Sequence, residues 1–99
     1  MNELFVPDVR RQLTLAEAET IFFGSALPIG FSELPVSEQE NGRQRAEAEW
    51  RKFKRKVKSG DEVWEFRSPP EKWEMLMGQH GLEIVRDSKT IDTMFLFVN

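Results

Sequence analysis

Asp61-Glu62-Val63-Trp64-Glu65-Phe66-Arg67-Ser68-Pro69-Pro70-Glu71-Lys72-Trp73 is the stretch that decides the fold. Its first seven residues alternate with a period of two, setting Trp64 and Phe66 on one side of an extended chain and Glu65 and Arg67 on the other, which predicts a strand over 61–67. Ser68 then stands where a helix cap would. The prolines fall in a first turn whose N–H groups have no intrahelical acceptor, and Glu71 closes a capping box. A short helix follows, with Trp73, Leu76 and Met77 as its expected buried side, His80 near its end and Gly81 as a left-handed exit.

Downstream, residues 82–86 and 90–98 read as two strands joined through Asp87-Ser88-Lys89, with Ser88 at a position a glycine would fill more easily. Met94-Phe95-Leu96-Phe97-Val98 has no polar interruption, which suggests burial on both faces and a central place in the sheet. With the short helix crossing over one face, these elements predict an α+β fold: a three-stranded, mainly antiparallel sheet of order 1-3-2, a split β-α-β unit. The aromatics Trp50, Trp64, Phe66, Trp73, Phe95 and Phe97 all take inward phases in this reading.

Upstream, Ala46, Trp50, Phe53 and Val57 fall in one narrow stripe at 100° per residue, so a long helix over 43–58 turns that stripe to the core. Arg45, Arg51, Lys52, Arg55, Lys56 and Lys58 cover its other side, while Arg43 and Lys54 flank the stripe. Ser37 and Glu40 have capping-box spacing, but Asn41-Gly42 weakens that start and places the firm helix nearer Arg43. Thr14 and Glu17 form a clearer box, which opens a helix over 15–23 that Gly24 can end. Residues 25–35 hold Pro28, Gly30 and Pro35 among apolar side chains and read as an ordered loop packed on the core. Leu4-Phe5-Val6 before Pro7 suggests a short strand or apolar arm.

The 99 residues form one expected domain, a helix plus apolar loop over 1–36 followed by an α-β-α-β-β unit over 37–99. Eleven per cent aromatic residues and 31% charged residues suit a folded core with a solvated surface. The chain has no cysteine, which removes disulfides and thiolate metal sites and points to a reducing cytoplasm. No leader pattern opens the chain, and no apolar run approaches membrane-spanning length. The net charge of −3 hides a segregated distribution: residues 43–58 hold eight cations against two acids, inside an otherwise acidic protein.

Chemistry finds little support in this pattern. His80 is the single histidine, which excludes a site with two imidazoles and fits a residue near a helix C-terminus. Pairs such as Asp61 with Glu62, or Glu71 with Glu74, have no spacing that marks an acid and a base, and phosphate-cradling glycine loops, zinc spacing and calcium-loop spacing are missing. The expectation is therefore a non-enzymatic module with no cofactor that binds a protein partner, as an inhibitor, adaptor or accessory subunit. Its expected contact residues are Arg45, Arg51, Lys52, Arg55, Lys56 and Lys58, with Phe23 and Phe31 from the apolar region. Nucleic-acid binding through the basic face is the alternative, since clustered cations attract phosphates by releasing counterions. Trp50 and Phe53 offer that face no stacking platform, because they point to the core. The apolar region could equally meet a second copy of the chain.

The quoted stretch, with Gly81-Leu82-Glu83-Ile84-Val85-Arg86-Asp87, resembles a group of small uncharacterised bacterial proteins that share a strand, a Ser-Pro-Pro turn, a Trp-bearing helix and a terminal hairpin. The resemblance spans about 40 residues. It implies that architecture and no activity, because each residue in it has a packing or capping role.

Overall fold

A computed structural model describes residues 8–26 and 30–98, so the proposed arm at Leu4-Phe5-Val6 and the loop residues Leu27, Pro28 and Ile29 lie outside the described residues. The fold is α+β with an antiparallel sheet, as expected, but among the described residues the sheet has four strands in the order β1-β2-β3-β4. These are β1 (Val9–Leu13), β2 (Glu62–Arg67), β3 (Gln79–Arg86) and β4 (Lys89–Val98). The helices are α1 (Leu15–Ala26), α2 (Val36–Lys56) and α3 (Pro70–Glu74), with a 3₁₀ turn at Phe31–Glu33.

The order 1-3-2 and the crossover fail for one reason. A crossover helix must span a strand's length, whereas α3 is only five residues long and merely turns the chain between antiparallel neighbours. β1 escapes the sequence pattern because Val9-Arg10-Arg11-Gln12-Leu13 has no apolar alternation; pairing to β2 along its whole length holds it instead. β4 lies at an edge, not at the centre. Its register against β3 slips at two places, leaving Ile91 and Leu96 as extra residues. Each extra residue shifts the side-chain alternation, so an unbroken apolar run here does not mean burial on both faces.

The helix starts and stops show where local chemistry suffices. Thr14 and Glu17 make the full capping box: the Thr14 N–H donates to Glu17 Oε1 at 2.9 Å and the Glu17 N–H donates to Thr14 Oγ1 at 3.1 Å. α1 then runs through Gly24 to Ala26. α2 begins behind Pro35, seven residues before Arg43, and passes through Asn41-Gly42. The Phe31 ring lies against Gly42, where a Cβ would come within 2.7 Å of it, so tertiary packing compensates for glycine's weak propensity. α3 is capped by Pro69, with no side-chain cap; Ser68 is buried and its Oγ accepts the Gln79 N–H at 2.9 Å.

Register rows define the two faces. Leu13, Val63, Ile84 and Asp92 stand side by side, as do Arg11, Glu65, Leu82 and Met94. The apolar members of these rows join Ala18, Phe22, Ala46, Trp50 and Phe53 in one core, so α1 and α2 cover this face. Trp50 stacks on Phe22 with ring centroids 5.6 Å apart, as the inward stripe requires. The other face carries the rows Arg10-Phe66-Gly81-Phe95 and Gln12-Trp64-Glu83-Thr93. Trp64 and Phe66 do share a side, but it is the side away from the helices, while Glu65 faces them.

Candidate functional site

The basic side of α2 is where the stripe argument places it. Arg45, Arg51, Lys52, Arg55 and Lys56 are all exposed on α2, with Trp50 and Phe53 buried beneath them; Lys58 is exposed too, but the helix expected to reach it stops at Lys56 with Val57 as its cap. Arg51 pairs with Glu47 one turn back at 3.7 Å, a contact of small worth at such exposure. Lys52 and Arg55 have no carboxylate partner among the described residues, and Lys58 forms no close ion pair there, its charge acting on Asp61 from further away.

At its C-terminal end α2 meets the hairpin between β3 and β4. Asp61 organises this junction. Its side chain is 1% exposed and accepts Arg86 Nε at 2.8 Å and Arg86 Nη2 at 2.7 Å. The same carboxylate accepts the Lys58 N–H at 2.8 Å, closing the turn that follows the helix. The hydrogen bonds from Arg86, then the one from the Lys58 backbone, hold the Asp61 carboxyl down at about 2. Arg86 also reaches the Lys56 carbonyl at 3.4 Å, and Lys56 Nζ donates to Asp92 at 3.0 Å. Around these pairs lies a shallow recess of about 630 Å³, lined by Lys52, Arg55, Lys56, Lys58, Arg86, Ile91 and Asp92. The hairpin itself turns on Asp87 and Ser88 with φ of 51° and 66°, the strain expected where Ser88 replaces a glycine.

The opposite end of the sheet has a different character. Met75, Leu76 and Met77 follow α3 and are exposed, and Leu76 is 74% exposed with a left-handed φ of 58°. This overturns the reading of Leu76 and Met77 as buried, because α3 stops at Glu74 and never turns them inward. It is also Leu76, not Gly81, that takes the left-handed exit; Gly81 lies inside β3. Phe97 is 60% exposed and packs against Trp73, with ring centroids 5.6 Å apart. Trp73 is half-buried, lies over Gly78 and donates its indole N–H to the Ser68 carbonyl at 2.9 Å.

Two expected contact residues are drawn inward. Phe31 is buried beside Gly42 and Arg43, and Phe23 is half-buried edge-on against Phe22. They brace the core and offer little surface. Phe95, read as interior, is 54% exposed on the open face, where it covers Phe66 edge-on at 5.8 Å.

His80 also departs from its expected place. It sits in β3, not at a helix end, and its Nε2 lies 2.8 Å from Glu65 Oε2. Burial raises the Glu65 carboxyl, but the hydrogen bond and charge of His80, with the charge of Arg11 at 3.1 Å, outweigh it and hold the group below its ordinary value. His80, Arg11 and Arg67 thus converge on one carboxylate. Among the described residues no group of three or more His, Asp or Glu side chains could hold a metal ion. No helix among them is long and apolar enough to cross a membrane.

Comparison with protein-family models, curated proteins and solved structures yields no match.

Proposed function

We propose that this chain is a small non-enzymatic module that works by binding another protein in a reducing compartment. The observation that carries the reading is the apolar end of the sheet, where Met75, Leu76, Met77 and Phe97 stand about half exposed or more. Clustered apolar side chains of this size are common at protein contacts and have no use toward a polyanion. The exposed basic face of α2 supplies the charge that would steer such a partner.

A second reading, nucleic-acid binding through α2, is favoured by Lys52 and Arg55 lacking carboxylate partners among the described residues. Against it, the aromatic rings of α2 are buried, so no base could stack beside those cations. Affinity capture from the native host with nuclease treatment separates the two. The protein reading expects a captured protein that survives nuclease and is lost from a Phe97→Ser, Met77→Ser variant. Loss of capture on nuclease treatment alone would replace it with the nucleic-acid reading.

A further inference from the structure

We infer that the recess between the end of α2 and the β3–β4 hairpin is a docking site for an acidic protein segment that carries an aliphatic side chain. This rests on the protein-binding reading and specifies the chemistry of the partner. Five cations line the recess against one carboxylate, Asp92. A helix C-terminus attracts cations through its dipole, which accounts for Lys54, Arg55 and Lys56 in the last turn of α2. It does not account for Arg86, which arrives from the end of β3.

Arg86 is also built in. The buried Asp61 carboxylate holds two of its nitrogens, and the Arg86 side chain remains 40% exposed and lines the recess. A guanidinium fixed in this way presents its remaining donors at little entropic cost and can grip a second carboxylate. Asp61 and Asp87 both act on Arg86, and Asp61 also feels the charge of Lys58, so part of those charges is already offset and Lys52 and Arg55, which form no ion pair among the described residues, carry most of the attraction.

The wall of the recess selects among anions. Ile91, an extra residue of β4, is 41% exposed between these cations and gives the site an apolar surface. A phosphate backbone gains nothing from an isoleucine, whereas a peptide with alternating acidic and aliphatic side chains satisfies both features. The acidic remainder of the protein would repel a long polyanion but leave a short segment free to enter.

The test is titration of the full chain with a short fluorescent peptide rich in glutamate with one central leucine. A matched peptide lacking the leucine and a single-stranded oligonucleotide of equal charge serve as comparators. Saturable binding of the leucine peptide is expected, weakened about tenfold or more as salt rises from low to physiological strength. The triple variant Lys52→Glu, Arg55→Glu, Lys58→Glu should lose about 100-fold, and Ile91→Ser about tenfold. Arg51→Glu, on the same helix but outside the recess, should leave affinity within about twofold. Neutral replacements Lys52→Gln and Lys58→Gln, checked by urea midpoint, give an intermediate loss without the risk of disturbing the helix end. Absence of saturable binding, equal affinity in the triple variant, indifference to the leucine, or tighter binding of the oligonucleotide would each overturn the inference. If the peptide fails while nuclease-resistant capture persists and still requires Phe97, the docking site is wrong and the protein-binding reading stands.

Discussion

The two faces of the sheet solve the same problem differently. On the helix face, Leu82 and Ile84 of β3 are sealed under α1 and α2, and Phe22 of α1 is buried with them. On the open face, one buried ring, Phe66, is covered by side chains of its own sheet: Phe95 from β4 lies edge-on to it, and Arg10 spans Trp64 and Glu83 nearby. One face is closed by whole elements, the other by individual side chains. Stability should therefore concentrate under the helices, leaving the open face and the sheet ends tolerant enough to vary for contact.

Substitutions at four positions probe that contrast. The largest effect is expected from Trp50→Ala, which empties the centre of the helix-face core and should cost about 3–5 kcal/mol in urea unfolding. Trp50→Phe should cost far less, because the indole N–H finds no acceptor among the described residues and its removal relieves an unpaired buried donor. Next comes Gly81→Ala, where an added Cβ would lie 2.5 Å from the Met94 carbonyl oxygen and 2.6 Å from the Phe66 ring. A cost of about 1–3 kcal/mol is expected; a neutral result would mean that the open face is loose enough to accept a methyl group. Asp61→Asn should act through pH. The wild-type group has a folded value of about 2 against an ordinary 3.8, so its contribution is complete above about pH 4 and disappears as pH falls toward 2. The variant should be less stable at neutral pH and show a flatter decline across that acid window. Smallest is Phe97→Ser, expected to change stability by less than about 0.5 kcal/mol, since the ring is exposed. A loss above 2 kcal/mol would make Phe97 part of the core and remove the apolar end as a contact surface.

The parts of this fold that could be read from the sequence are those governed by local chemistry. The Thr14–Glu17 cap, the stripe Ala46-Trp50-Phe53 and the period-two strand at β2 each depend on neighbours within a turn or two. The α2 cations were legible for the same reason, as the far side of that stripe. What escaped depends on partners distant in sequence. β1 exists because β2 pairs with it, and the early start of α2 depends on Phe31 packing at Gly42. Periodicity also shows that Trp64 and Phe66 share a side without showing which side the helices take. The recess was hidden most deeply, because Arg86 and Ile91 reach it only once the hairpin folds back beside α2. One sign was available: an arginine and an aspartate set 25 residues apart at the two ends of antiparallel neighbours.

β4 is a ten-residue strand with an apolar second half at the margin of a sheet, the kind of template on which other chains can polymerise. Its two slipped positions divide it, leaving only residues 92–95 in unbroken register between Ile91 and Leu96. A foreign strand laid along this margin would lose step at both ends of that short run, so the protein can keep a rich band of phenylalanine near its surface without seeding fibres.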